Sequence, residues 1–225
     1  TSTDALTLTI TDTSLSSLTN LLALDTKTSV AVNASSITSI TETYANLNTA
    51  YSSVGISGLG NEAVTITDTQ SATNVNTILG KTTGVVTATV SSDTAANLNT
   101  NLVNATSSDA LTLTVTDATL NSSLLNILDS KTSGTITLSN ATTINVDSEN
   151  TLNLGDFTVS NSVTINDSTG NENITGTSSN DVLNLSSGND TINLGAGDDT
   201  INVTNMSYLT SADTITDTSG IDTLN

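Results

Sequence analysis

A nine-residue period near the C-terminal end constrains this chain more than any other feature. Residues 176–203 read GTSSNDVLNLSSGNDTINLGAGDDTINV. Two columns of residues recur in this segment with a spacing of nine: Asp181, Asp190 and Asp199, and two positions later Leu183, Ile192 and Ile201. The same register extends back to Glu172 and Ile174. A fixed short period of this kind predicts a solenoid built from stacked coils.

Nine residues are enough for one short strand and one tight turn. The apolar residue of each repeat is expected to point into the solenoid, because side chains alternate between the two faces of a strand. The aspartate is expected to project from the turn into the gap between stacked turns, where carboxylate and carbonyl oxygens suit Ca²⁺. A second hypothesis stays open at this point, because Asp and Asn favour turns without any metal.

The segment resembles the RTX calcium-binding β-roll of secreted bacterial proteins, whose nonapeptide is G-G-x-G-x-D-x-U-x with U a large apolar residue. The resemblance implies that successive nonads lie on opposite sides of the roll, so that turns eighteen residues apart are neighbours. Asp181 and Asp199 then share one side, and Glu172 and Asp190 share the other. The metal ligands predicted on this basis are Asp181, Asp190, Asp199, Glu172, Asp198, Asn180, Asn189, Gly188 and Gly197.

The glycines of the nonapeptide are incomplete in this chain. The first glycine is present only as Gly176 and the second only as Gly195, and Ser179 replaces the fourth-position glycine of its nonad. An insertion at residues 203–211 interrupts the nines, and we interpret it as a loop.

A longer repeat of about 25 residues occupies the first 160 residues. Residues 5–15, ALTLTITDTSL, are nearly identical to residues 110–120, ALTLTVTDATL. Each of the three lysines lies in one of three similar segments at the ends of units: LALDTKTS, ILGKTTG and ILDSKTSG. We place the units at residues 5–29, 30–61, 62–84, 85–109, 110–134 and 135–158.

Each unit has the pattern of a strand, a turn, a short helix and a second turn. Leu6, Leu8 and Ile10 alternate with threonines, which predicts a half-buried strand. Acidic turns such as Thr-Asp at Asp68 and Asp117 follow the strands, and we expect the Ser, Thr and Asp residues there to cap the helices that they precede. Such short helices need neighbours, which a solenoid supplies by stacking strands into a parallel sheet with helices on its back.

The predicted fold class is mainly β with short helices. We expect an elongated solenoid of strand–helix repeats over residues 1–160 that leads, without a linker, into a parallel β-roll over residues 161–225. Beyond residue 135 the helical pattern fades into strand-like segments.

The charge balance excludes several functions. The net charge is −19, and Lys27, Lys81 and Lys131 are the only cationic side chains, so nucleic-acid binding is excluded. The acidity alone is also compatible with a simple role in solubility. The absence of His and Cys removes Ser–His–Asp, Cys–His and His-ligated zinc sites, and no apolar run is long enough for membrane insertion.

The repeats over residues 5–158 are similar to those of very large type I-secreted bacterial surface proteins, including those of marine cyanobacteria. This resemblance implies a secreted or cell-surface structural protein that folds in extracellular Ca²⁺. The chain begins at Thr1 rather than at Met, so we expect a processed product or a segment of a longer protein. Neither Thr1 nor Asn225 shows a polar cap, which motivates the hypothesis of end-to-end association into a homo-oligomer or filament.

Two other functions are weighed against this one. The first is a calcium-dependent adhesin, or an ice-binding module, that contacts a surface or a polysaccharide through outward threonines such as Thr65, Thr67 and Thr112. The second is an enzyme in which the roll is only a secretion tail. HExxH and GxSxG are both absent, and the aromatic residues that line sugar sites are scarce, so we predict a non-enzymatic protein.

Overall fold

A computed structural model describes residues 4–148 and 150–225 of the chain. Short parallel strands dominate these residues and five short α-helices accompany them, which confirms the predicted fold class. The strands are β1 Ser14–Leu15, β2 Val32–Asn33, β3 Ser39–Glu42, β4 Ile56–Ser57, β5 Ala63–Ile66, β6 Val86–Thr89, β7 Ala110–Val115, β8 Thr119–Asn121, β9 Ile136–Leu138, β10 Thr143–Asn145, β11 Thr151–Asn153, β12 Thr158–Val159, β13 Thr164–Asn166, β14 Asn173–Thr175, β15 Val182–Leu185, β16 Thr191–Asn193, β17 Thr200–Val203, β18 Thr214–Thr216 and β19 Thr223–Leu224. The helices are α1 Thr19–Asp25, α2 Tyr44–Ser52, α3 Ala72–Leu79, α4 Ala95–Asn101 and α5 Ser122–Asp129, with a 3-10 helix at Leu154–Asp156.

The first of two contact units comprises residues up to Ser91, together with Thr100–Thr112 and Lys131–Gly134. In it β1, β3, β5 and β6 pair in parallel in this order, and β6 pairs with the first half of β7. The apolar residues of successive strands lie in register, as Ile40 does with Val64 and Val64 with Val86. All three side chains are buried, because alternate residues of each strand face the same core.

The lysine-threonine motif at the unit ends is a structural brace between coils. Its threonines, Thr28, Thr82 and Thr132, are all buried. The Thr132 hydroxyl donates to the carbonyl of Leu111 at 2.9 Å and accepts the backbone N–H of Gly134 at 2.8 Å. In their own 25-residue repeats, the hydroxyl groups of Thr28 and Thr82 likewise donate to a backbone carbonyl and accept a backbone N–H. These hydrogen bonds explain the motif without a ligand.

Four helices receive an acidic cap from the following repeat. The bonds run from Leu18 N to Glu42 Oε2 (3.0 Å), from Tyr44 N to Asp68 Oδ1 (2.8 Å), from Ala95 N to Asp117 Oδ2 (2.7 Å) and from Ser123 N to Asp147 Oδ2 (3.0 Å). A carboxylate at this point also interacts favourably with the positive end of the helix dipole. The prediction that Asp68 and Asp117 cap the helix of their own repeat is therefore wrong, because in-register stacking brings each of them beside the preceding helix. Ser71 does cap its own helix, α3.

The second unit comprises Ser92–Asn99, Leu113–Ser130 and Thr135–Asn225. Its largest sheet has the order β8-β10-β13-β15-β17-β19, and a second sheet has the order β11-β14-β16-β18. In the same unit the second half of β7 pairs with β9, and β9 pairs with β12. The strand β11 contacts α5, so a strand takes the place of a helix from this coil onwards. The predicted fading of the helical pattern beyond residue 135 agrees with this change.

An asparagine ladder runs along the six-stranded sheet. Side-chain amides of successive coils join in the pairs Asn166–Asn145 (2.9 Å), Asn184–Asn166 (2.7 Å), Asn202–Asn184 (3.0 Å) and Asn225–Asn202 (3.1 Å). Such ladders form when identical side chains stack in register, so they fix the alignment of the coils.

Four other expectations have different outcomes. The segment with Leu6, Leu8 and Ile10 forms only one isolated bridge, Thr9 with Asn33, so the strand predicted there is wrong; Leu6 is 49% exposed. Residues 204–211 form turns and bends, as expected for a loop, and lengthen their coil. The boundary at residue 160 stays a prediction, and the end cap expected to be missing at Thr1 lies outside the described residues.

We expect Asp117→Ala to lower the free energy of unfolding by about 1 kcal/mol, because the first turn of α4 loses its acceptor. Urea denaturation measures this change. Asp12→Ala is the matched control, since Asp12 lies at the corresponding place of the nearly identical segment 5–15, is exposed, and accepts no hydrogen bond from any described residue. Equal losses in the two variants would contradict the role of the cross-coil cap.

Candidate metal centre

The C-terminal coils repeat every eighteen residues. Ile165 pairs with Leu183 and Leu183 with Ile201 in one sheet, and Ile174 pairs with Ile192 in the other. The side chains of this apolar column are buried. Turns eighteen residues apart are therefore neighbours, as the resemblance predicted.

The turns form two columns on opposite sides of the roll. The first column contains residues 167–172, 186–190 and 204–213, which lead from the six-stranded to the four-stranded sheet. The second column contains residues 176–181, 194–199 and 217–222, which lead back. The last residue of each turn is acidic, and we call these six residues the corner acids: Glu172, Asp190 and Asp213 in the first column, and Asp181, Asp199 and Asp222 in the second.

Each coil gives a backbone N–H to the corner acid of the next coil. In the second column Val163 N, Asp181 N and Asp199 N donate to Asp181 (2.9 Å), Asp199 (2.7 Å) and Asp222 (2.9 Å). In the first column Glu172 N donates to Asp190 at 3.0 Å and Asp190 N to Asp213 at 2.8 Å. These bonds satisfy one carboxylate oxygen of each acceptor. They hold carboxylates in the interior, where Asp181, Asp190 and Asp199 are each only 1% exposed.

The second carboxylate oxygen divides the corners into two kinds. In a closed corner a threonine satisfies it: Asp181 Oδ2 accepts from Thr177 N at 2.7 Å and from Thr177 Oγ1 at 2.9 Å. In an open corner no described residue donates to it, as with the buried Oδ2 atoms of Asp190 and Asp199. A buried carboxylate oxygen without a donor is costly, so the open corners require a cation or a proton.

Two acidic clusters form around the open corners. In the first cluster Asp167, Glu172 and Asp190 each bring one carboxylate oxygen within 4.8 Å of the others. In the second cluster Asp199, Asp217 and Asp222 do the same. No Lys or Arg follows Lys131 in the sequence, so these carboxylates lack cationic side chains of their own segment.

The clusters shift the pKa values of their carboxyl groups upwards. Burial, reinforced by the charges of Asp190 and Glu172, raises the pKa of Asp167 to about 7. Burial and the adjacent Glu172 raise the pKa of Asp190 to about 6. Burial and the neighbouring carboxylates, Asp181 among them, also raise the pKa of Asp199. Each shift reports repulsion and desolvation that a bound cation would relieve.

The clusters contain three of the predicted ligands, Glu172, Asp190 and Asp199. Asp181 lies in the predicted column, but its corner is closed by Thr177. Three further predicted ligands lie at the exposed rim: Asn180 Oδ1 accepts Asp198 N at 2.9 Å, Asn189 N donates to Asn171 Oδ1 at 2.9 Å, and Asp198 Oδ1 accepts Ile221 N at 3.0 Å. The side chains of Asn180 and Asp198 and the backbone of Asn189 thus join adjacent turns.

The glycines Gly188 and Gly197 allow adjacent turns to approach closely. A Cβ atom at Gly188 would overlap the carbonyl oxygen of Gly170, and Gly197 has a φ of 127°. Whether their carbonyl groups bind metal stays a prediction.

The sequence analysis did not name Asp167, Asp217 and Asp222 among the candidate ligands, although the clusters contain them. Asp222 is a corner acid of the last nonad, so the period itself pointed to it. Asp167 and Asp217 stand at the first position of their nonads, where the pattern has glycine. The signal was a departure from the pattern, and only the stacked turns show that it adds a carboxylate to the cluster.

Comparison with known families agrees with this geometry. Residues 167–201 match the family model of the RTX calcium-binding nonapeptide repeat in four copies, so this segment consists of RTX repeats. Neither the comparison with curated proteins nor that with solved structures finds a match.

The residues present fit Ca²⁺. Both clusters offer only oxygen donors, and each contains a buried aspartate oxygen that accepts no hydrogen bond from the described residues. The RTX segment is thus a calcium-binding β-roll. The ion would supply the positive charge that the open corners lack, while the corner acids hold the turns in register through their backbone bonds.

We expect the thermal midpoint of the chain in EGTA to fall as pH rises from about 5 to about 8. The carboxyl groups of Asp167 and Asp190 have folded-state pKa values near 7 and 6, above the unfolded value of about 3.9, so they stabilise the fold while protonated and lose that contribution as they ionise. The charge of Glu172 adds repulsion at both groups, and that of Asp213 adds repulsion at Asp190. Circular dichroism melts measure the midpoint.

Excess Ca²⁺ provides the control for this pH series. Protons then compete with the ion, so the midpoint should fall at low pH instead. A midpoint in EGTA that rises with pH across this window would contradict the assignment of the clusters.

Proposed function

We propose that the chain is a calcium-stabilised, non-enzymatic structural module of an extracellular protein, secreted unfolded and folded by the calcium that it meets outside the cell. One observation carries the proposal: the core of the roll contains aspartate oxygens, at Asp190 and Asp199, that no described residue satisfies. The stability of the roll at neutral pH therefore depends on an external dication. Extracellular modules bind calcium with dissociation constants on the order of millimolar or somewhat below, and metal binding to such sites is coupled to folding.

Family context and composition support a binding or structural role. RTX repeats are typical of secreted proteins, and the repeats themselves are structural and ion-binding elements. The sequence has no His and no Cys, which removes the commonest nucleophile–base pairs. No helix within residues 4–148 and 150–225 is long and apolar enough to cross a bilayer.

We further propose association with copies of the same chain through the sheet edge at β18 and β19. Ile215 is 40% and Leu224 is 58% exposed, whereas Ile192 and Ile201, their partners in the preceding coil, are buried. A further coil would cover these side chains and pair with the edge, and we propose that a second copy supplies it. The asparagine ladder would guide its register through Asn225.

A calcium titration followed by circular dichroism and light scattering on the same sample tests both parts. We expect the β signal and the particle size to rise together as Ca²⁺ approaches millimolar concentration, and to fall on addition of EGTA. Mg²⁺ is the control ion, because its smaller octahedral shell suits a rigid carboxylate cluster less well.

Calcium-dependent folding and self-association can each be contradicted separately. A β signal unchanged by EGTA would contradict calcium-dependent folding. A folded chain that stays monomeric at all calcium concentrations would contradict self-association and favour a single adhesin module.

A second candidate, binding to ice or to another ordered surface or polysaccharide, rests on threonine columns. Thr41 pairs in register with Thr65, and Thr65 with Thr87, and these side chains lie on the outer face of the sheet of the first unit. The spacing along the column is the strand separation of about 4.8 Å.

We expect ice binding by this face to produce thermal hysteresis in the calcium-loaded protein, and Thr65→Lys to abolish it, because the lysine interrupts the flat column. Nanolitre osmometry measures the hysteresis. Thr119→Lys, an exposed strand threonine of the second unit, is the control. A freezing point equal to the melting point in the native chain would remove this candidate.

A further inference from the structure

The first position of the nonad distinguishes two turns from the others. The RTX pattern has glycine there, and this chain has Gly176, Leu185 and Leu194 in three nonads. The nonads 167–175 and 217–225 begin with aspartate instead. We call Asp167 and Asp217 the first-position aspartates.

Both first-position aspartates lie in the same chemical setting. Each belongs to a cluster with the corner acid of its own nonad and the corner acid of an adjacent coil: Glu172 and Asp190 for Asp167, and Asp222 and Asp199 for Asp217. The adjacent coil in each case contributes the open corner, whose aspartate is 1% exposed and has an Oδ2 atom without a hydrogen bond from the described residues. The open corners and the first-position aspartates therefore coincide.

The corner at Asp181 is the counterexample within the same roll. Its Oδ1 accepts a hydrogen bond from Val163 N, and its Oδ2 accepts hydrogen bonds from the backbone N–H and the hydroxyl group of Thr177. This carboxylate belongs to neither cluster.

The strand–helix repeats contain the same closed corner. Asp109 Oδ1 accepts Val86 N at 2.9 Å, and its Oδ2 accepts both Thr106 N and Thr106 Oγ1 at 2.9 Å. Asp109 is buried and lies outside the RTX segment. A threonine a few residues earlier is thus sufficient to hold a buried corner aspartate in this chain.

We propose that the roll binds two calcium ions, one in each turn column, through three-carboxylate sites completed by Asp167 and Asp217, and that Thr177 takes the place of an ion at Asp181. The proposal deepens the proposed function, since it rests on calcium binding by the roll and assigns the ligands. Three carboxylates bring more charge to each ion than a glycine at the first position would, and affinity for Ca²⁺ rises with the number of charged ligands.

Isothermal titration of the full chain with Ca²⁺, with native mass spectrometry for the count, tests the assignment. We expect two ions for the native chain and one for Asp167→Asn and for Asp217→Asn, each of which keeps the shape of the side chain. Asp181→Asn should still bind two. Asp156→Asn, an exposed acid that belongs to neither cluster, is the matched control and should also bind two.

Thermal melts separate the ligand role from the structural role. Asp190→Asn should lower the midpoint in excess Ca²⁺ and raise it in EGTA, because it removes a ligand in one condition and a buried charge in the other. Thr177→Val should lower the midpoint by a similar amount in both conditions. Should the roll be unfolded in EGTA, the ion count in the calcium-loaded variants decides the matter.

The possible failures are distinct. No bound calcium in the native chain would overturn the proposed function and this proposal together. Binding of two ions by Asp167→Asn or Asp217→Asn, or loss of an ion in Asp181→Asn, would overturn the ligand assignment while leaving calcium-dependent folding intact.

Discussion

In-register stacking of coils is the constraint on which the rest of this structure depends. Within the roll, successive coils present a backbone N–H at the corner, and a carboxylate from the next coil accepts it, as Asp199 accepts the N–H of Asp181. This bond buries a charged group with two oxygens and satisfies only one of them. The second oxygen then needs a threonine, a proton or a metal ion. Calcium binding by the roll follows from how its corners are built.

The strand–helix repeats solve the same problem with neutral donors. The second carboxylate oxygen of Asp109 accepts a hydrogen bond from Thr106. The carboxylates of Asp117 and Asp147 cap the helices of the preceding coils. The first turn of a helix has several backbone N–H groups without a partner in the helix, and these can donate hydrogen bonds to a carboxylate without a metal ion. From β11 onwards, strands replace the helices of the coils, and this source of donors is lost. The acidic clusters occur in the part of the chain where it is lost.

The nine-residue period predicted the roll, the buried apolar column and the two turn columns, because these depend only on residue spacing. It did not predict which corners are open. Asp181 and Asp190 have the same place in the pattern, and the difference lies in Thr177, which reaches back across its own turn. The helix caps were assigned to the wrong coil for a related reason: Asp117 precedes α5 in sequence, but stacking sets it beside α4.

The positions of the two clusters determine what calcium stabilises. The first cluster joins the turn at 167–172 to the turn at 186–190, and the second joins 194–199 to 217–222, so each links two successive coils. Between them, the closed corner at Asp181 is joined to the neighbouring coils by hydrogen bonds from a backbone N–H to a carboxylate, from Val163 to Asp181 and from Asp181 to Asp199. An ion in either cluster contacts carboxylates from two different coils. The unfolded chain would lose loop-closure entropy if it brought these carboxylates together around an ion. The folded roll already holds them together, so the ion neutralises their charge and stabilises the folded state. The coils gain their ionic contacts only when they are stacked, so calcium and the order of the coils stabilise each other.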